Sequence, residues 1–245
     1  MDPALYISMT GAKRSLAEQG VYSNNLANVN TPGFRADLYQ AESLYLTNQP
    51  LQTQTYTTST ESAVDFKAGS MMTTQRPLDA AIRGNGWFVI QNDSGQQALT
   101  RKGSFLVDQS GLLTTSDGHL VMGEGGPISI PPHESIQLAE DGTITIVPLG
   151  EEPSAVAVLD RLLLTNPDQN QLVKGGDGYI YDKQKQTFQS DVTVRIATQT
   201  LEGSNVNSVD QMVNMISASR EFETQLKMMS TVDQNQQSLA RLLQL

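Results

Sequence analysis

The sequence predicts an α+β fold: N- and C-terminal helices pairing as a coiled coil, a central all-β domain and an extended connector. Three observations carry this reading. Apolar residues recur at a 3–4 spacing over both chain ends. Between the ends, turn residues recur every 8–12 residues or so among short β-branched and aromatic runs. And Thr31-Pro32-Gly33 stands where the first helix must stop, because Pro32 disfavours α conformation at Thr31. The implied division is a helical coiled-coil domain from 1–35 with 200–245, a connector over 36–79 and a β domain over 80–199.

The first helix starts at Asp2-Pro3, with Asp2 as N-cap and Pro3 at the first helical position. Its stripe is Leu5, Met9, Ala12, Leu16 and Leu26, completed by Gln19 and Ser23. Pro32-Gly33 suits a type II turn, with Phe34 as a packing anchor beyond it.

The last helix starts at a capping box from Ser208 to Gln211. Its seam reads Met212, Met215, Ser219, Phe222, Leu226, Met229, Asp233, Gln236, Ala240 and Leu243. Further apolar residues, Val209, Val213, Ile216, Met228, Val232, Leu239 and Leu242, broaden the stripe beyond one seam. A broad stripe implies more than one neighbour, so packing between molecules is expected as well as packing within one. Helices with few charges gain little from propensity alone. The ends are therefore expected to be disordered in the free subunit and to order on assembly.

The middle reads as hairpins. Phe105–Val107 and Leu112-Leu113 flank Asp108 to Gly111, and Ile136 and Leu138 face Ile144 and Ile146 across Glu140-Asp141-Gly142. Gly84-Asn85-Gly86 is a tight-turn signal between Ala81-Ile82 and Trp87–Ile90. Between Gln52 and Thr60 the chain is polar and Thr-rich, as an extended connector would be.

Composition excludes several functions. The net charge is -10, which repels nucleic acid and anionic lipid. No apolar window approaches the roughly 18 residues of a membrane span. There is no Cys, so thiol catalysis and disulfides are impossible, and two His cannot complete the common zinc sets. No cleavable signal peptide is expected, since residues 1–20 hold no apolar core run.

Candidate sites resolve into ordinary structure. Gly123–Pro127 and Gly175–Gly178 are turns, because neither ends in Gly-Lys-Ser/Thr or opens a helix. His119 and His133 read as surface-loop residues, with no Gly-x-Ser-x-Gly elbow to pair with either. Asp108, Asp117, Asp141 and Asp177 sit at or beside turn glycines, where local hydrogen bonding explains them. No catalytic, cofactor-binding or metal-binding residue is assigned, and no enzyme is expected.

Ser23-Asn-Asn-Leu-Ala-Asn-Val-Asn-Thr-Pro-Gly-Phe34 resembles the N-terminal signature of the bacterial flagellar rod and hook proteins. The segment from Leu201-Glu-Gly-Ser-Asn-Val206 through Val209, Met212, Met215-Ile216, Arg220 and Phe222 resembles that family's closing helix. Pro77-Leu78-Asp79, Gly84–Val89, Thr100-Arg101, Gly103, Phe105 and Asp117-Gly118 are similar to its β domain. The resemblance covers essentially the whole chain. It falls nearest the proximal-rod branch, on the short connector from Ala36 to Pro77, the block Gly123–Ile130 and the closing run from Gln225 to Leu243.

The resemblance implies a non-enzymatic subunit of the basal-body rod spanning the periplasm. Its terminal helices would line an axial tube that transmits torque, with the β domain outside. The implied partners are copies of itself, the proximal-rod protein below, the distal-rod protein above and the flagellar type III export machinery, without nucleic acid or membrane insertion. The chain would be made in the cytoplasm and exported without a cleaved signal. The expected assembly interface is Leu5, Met9, Ala12, Leu16, Asn24, Asn25, Leu26, Asn28, Pro32, Gly33, Phe34, Met212, Met215, Ile216, Phe222, Leu226, Met229, Leu239 and Leu243. The four asparagines from Asn24 to Asn30 could cap the helix end or bridge subunits. The alternatives are a distal-rod subunit, an enzyme or carbohydrate-binding β module with helical oligomerisation ends, or a secreted adhesin.

Overall fold

The structure is a computed structural model, and it describes residues 3–39, 41–45, 55–59, 63–150 and 156–242. The α+β reading holds: two terminal helices in mutual contact, and antiparallel sheets between them. The chain divides into two compact units, one of residues 1–29, 36–65 and 206–245, the other of 30–35 and 66–205.

In the first unit, helix α1 spans Pro3–Ala27 and helix α2 spans Ser208–Leu242. Asp2, the expected cap of α1, lies outside the described residues. The cap of α2 is Asn207 rather than Ser208: Asn207 Oδ1 accepts from Val209 N at 3.1 Å. An Asn side chain reaches the first free amides from just outside the helix, which leaves Ser208 inside the first turn. Segment 36–65 belongs to this unit, where Asp37–Leu38 pairs with Ala63–Val64 and Ala41–Tyr45 with Thr55–Ser59.

The second unit is built on a nine-stranded antiparallel sheet. Strand Trp87–Gln91 lies in its middle, bonded to Gln97–Thr100 on one side and Leu120–Gly123 on the other. A three-stranded sheet of His133–Leu138, Thr143–Pro148 and Ala157–Arg161 covers it. Phe88, Phe105, Ile82, Ile90, Ile144, Leu164 and Ile196 make the core between them. Alternation explains the cover: Ile144 and Ile146 point inward while Thr143 and Thr145 stay half-solvated.

The Asp108–Gly111 and Glu140–Gly142 hairpins form as expected, with registers Leu113 to Val107 and Leu138 to Ile144. Asp108 Oδ1 accepts from Ser110 N and Leu112 N, both at 2.8 Å. Asp141 and Asp177 likewise accept from Thr143 N and Tyr179 N. The Gly84–Gly86 segment is different. Strand Ala80–Arg83 pairs with Arg195–Thr198, so its neighbours in sequence do not form a hairpin. A Cβ at Gly86 would stand 2.7 Å from Val194, so the glycine lets that distant strand pass.

Candidate functional site

The two helices run antiparallel. Asn25 Nδ2 donates to Gln211 Oε1 at 3.2 Å near one end. Fourteen residues along each helix, a Cβ on Gly11 would come 2.9 Å from the Gln225 side chain. By that register Pro3 stands level with Asp233, and α2 continues for nine residues, about 13 Å, past the first described residue of α1.

A heptad rhythm runs through the buried and half-buried positions of each helix. On α1 it takes in Leu5, Ser8, Ala12, Ser15, Gln19, Tyr22 and Leu26. On α2 it takes in Gln211, Met215, Ala218, Phe222, Gln225, Met229 and Val232, with Ser208 and Ser219 half-buried beside it. Small residues at Ser8, Ala12, Ser15 and Ala218 let the backbones approach closely, and Met215, Phe222 and Met229 fill the seam from α2. Arg14 and Glu18 add an ion pair along α1 at 2.8 Å, and this hydrogen bond to Glu18 raises the Arg14 pKa.

This seam differs from the stripes read from sequence. Leu5, Ala12, Gln19 and Leu26 lie on it, whereas Met9 and Leu16 (55% exposed) turn outward. On α2, Met215, Phe222 and Met229 lie on it, whereas Met212, Ile216 (53% exposed) and Leu226 face away. The cause is composition: one heptad face was filled with Ser, Ala and Gln, and hydrophobicity alone points to the neighbouring face. Ala218 and Gln211 were therefore missed, though a heptad count that admits Ala, Ser and Gln would find them.

The outward faces are consequently apolar. Tyr6, Ile7, Met9 and Leu16 are exposed on α1, and Val209, Met212, Val213, Ile216, Leu226 and Met228 on α2. Surface apolar residues are ordinary singly, but rows of them along two packed helices mark an interaction surface. Leu239 is helical, its side chain outside the description, and Leu243 lies outside the described residues.

Three of the four asparagines of the N-terminal motif, Asn24, Asn25 and Asn28, make bonds within the subunit. Asn25 is buried, its Oδ1 accepting from Asp37 N at 2.8 Å and its Nδ2 donating to Asp37 O at 2.8 Å. Asn24 donates to Asp37 Oδ2 and Asn28 to the carbonyl of Asn24. Pro32, Gly33 and Phe34 belong to the other unit. Gly33 has φ 69° and Phe34 N donates to Thr31 O at 3.2 Å, the geometry of a type II turn. Lys174 Nζ lies 4.4 Å from the centre of the Phe34 ring.

Residues 5–35 match the family described as flagella basal body rod protein, 81–146 the flagellar hook protein FlgE/F/G D1 domain, and 197–242 the flagellar basal body rod FlgEFG protein C-terminal family. The flagellar basal-body rod protein FlgF of Escherichia coli (strain K12) is 40% identical over 96% of this chain and 96% of its own. The chain belongs to the FlgF family of flagellar basal-body rod proteins. The FlgF of Salmonella typhimurium is 38% identical, again over 96% of both chains. The FlgG of Buchnera aphidicola subsp. Schizaphis graminum is 31% identical over 99% of this chain and 100% of its own. The FlgF family is structural rather than enzymatic. The helix pair, with its exposed apolar rows, falls within the matched residues 5–35 and 197–242.

Proposed function

We propose that this chain, a structural subunit of the flagellar basal-body rod, assembles through the outward faces of its terminal helices, residues 1–35 and 200–245, into an axial tube that transmits torque. The carrying observation is the division of labour on α1 and α2. Small and polar side chains close the pair inside one subunit, while Met9, Leu16, Met212, Ile216 and Leu226 remain exposed. Burying such rows between copies removes apolar area from water, at roughly 25 cal/mol per Å². Copies of the chain and adjacent rod proteins, a proximal-rod protein below and an FlgG-like distal-rod protein above, are the partners. The subunit reaches them through the flagellar type III export apparatus. Small and polar residues make up much of the seam, so the pair is only marginally stable in the free subunit and is stabilised further on assembly.

Cross-linking tests this directly, because the chain has no Cys of its own. Ile216→Cys and Met9→Cys, treated with a short bismaleimide in isolated basal bodies, should give adducts between axial subunits. Ala218→Cys, inside the seam, should give none. Basal bodies that contain the Ile216→Cys chain but yield only monomer would sink the proposal.

A further inference from the structure

The most concentrated buried charge in the described residues lies away from the helices, at Glu202. Its side chain is 0% exposed and sits between two guanidinium groups, 2.9 Å from Arg35 Nη2 and 2.8 Å from Arg101 Nη1. Its Oε1 also accepts from Gly69 N at 2.9 Å. Each arginine reaches one step further, Arg101 Nη2 to Gly84 O at 2.7 Å and Arg35 Nη1 to Lys67 O. Both guanidinium groups lie over the face of Trp87, at 5.8 and 5.2 Å from its centre. Burial lowers the Arg101 pKa, and the Glu202 charge opposes that shift.

The main chain at Glu202 closes the same knot. Glu202 O accepts from Gly33 N at 2.7 Å, Gly203 N donates to Ser70 O at 2.7 Å, and Asn205 N to Phe34 O at 3.4 Å. No side chain separates these passes. A Cβ on Gly69 would stand 2.0 Å from Gly203 O, and one on Gly33 2.4 Å from the Arg101 backbone. Segments 33–35, 67–70 and 202–205, with Arg101, therefore meet backbone to backbone around one carboxylate. All three lie at ends of the segments that make up the β unit, 30–35 and 66–205.

A buried ion triad is a weak source of stability, since desolvation offsets most of its attraction and apolar replacements are often neutral. What it supplies is direction, because each bond fixes which segment meets which. The apolar cluster of Trp87, Val89, Leu99, Met122 and Ile180 packs without needing that direction.

We propose that Glu202, with Arg35 and Arg101, is a latch that holds the inbound pass 30–35 against the outbound pass 202–205, separately from the β core. Glu202 is then a positioning residue, fixing how segments 30–35, 67–70 and 202–205 meet within the β unit. This goes beyond the rod reading, because it concerns order within the isolated chain.

The test is hydrogen exchange by mass spectrometry on the full-length protein. The variant is Arg35→Met/Glu202→Leu/Arg101→Met, which replaces the triad with apolar side chains and leaves no buried charge unpaired. The expected result is exchange at least about tenfold faster in 31–35, 66–70 and 202–206, with 87–91 and 97–100 protected as before. Glu202→Gln, which keeps an acceptor for Gly69, should move the same segments in the same direction. Unchanged protection of 31–35, 66–70 and 202–206 in both variants would overturn the latch. So would loss of protection spreading equally into 87–91, or a triple variant that no longer folds, because the triad would then belong to the core.

Discussion

Asn25 and Gln211 join the two helices end to end: the Asn25 amide donates across to Gln211 while holding both backbone groups of Asp37. One buried side chain therefore fixes the C-terminal end of α1, the start of α2 and the strand that follows α1. Asn25→Ala removes all three bonds and takes this side-chain partner away from the half-buried Asp37 N–H and C=O. Each such group costs about 1–3 kcal/mol. Amides in 20–29 and 208–215 should exchange faster than in the unaltered chain, with the β core unchanged. Equal exchange in the two proteins would show that Asn25 does not organise this end.

The two faces of α2 should respond oppositely to substitution. Leu226→Asp places a charge on the outward face, so the isolated chain should keep its unfolding midpoint to within about 0.5 kcal/mol. In the rod the same charge would be buried unpaired, and motility should be lost. Ala218→Leu overpacks the closed seam and should destabilise the helix pair by about 1–3 kcal/mol in the isolated chain. Soft-agar motility and urea titration followed by far-UV circular dichroism separate the two. Full motility with Leu226→Asp would show that the outward row is not an assembly face.

Local patterns were readable in the sequence and distant pairings were not. The helices, the Asp108–Gly111 and Glu140–Gly142 hairpins and the Pro32-Gly33 turn depend on residues within a few positions, and each left a signature. On the helix seam Ala12, Met215, Phe222 and Met229 were legible, whereas Ser8, Ser15 and Ala218 were not, because small or polar side chains leave no hydrophobic signature and Met212 and Leu226 do. Strand Ala80–Arg83 finds Arg195–Thr198 over a hundred residues away, so the turn signal at Gly84–Gly86 misleads. The Glu202 knot is invisible for the same reason: Arg35, Arg101 and Glu202 meet only once the sheets have formed.

Gly33 carries two constraints at one position. Its φ of 69° disfavours any residue with a Cβ, and a Cβ there would sit 2.4 Å from the Arg101 carbonyl carbon and Lys102 nitrogen. Gly33→Val should therefore destabilise the β unit by more than about 2 kcal/mol, since strain and steric overlap add. Trp87, the only tryptophan, reports on this unit by fluorescence. An unchanged urea midpoint would mean that the turn at Gly33 relaxes without loss.

Tyr179 makes the stability of the β unit pH-dependent on the alkaline side. Burial raises its pKa first, and its hydrogen bond to Asp117 at 2.8 Å raises it further. The folded protein thus keeps a proton that the unfolded chain releases near pH 10 or so. The contribution is fully present below that pH and is lost as pH rises through the folded value. Tyr179→Phe removes the ionisable group and, with it, this slope, although the lost bond to Asp117 lowers stability at every pH. Urea midpoints from Trp87 fluorescence should fall as pH rises above about 10 in the unaltered chain, and less steeply in Tyr179→Phe. Parallel curves for the two proteins would assign the alkaline loss to other groups.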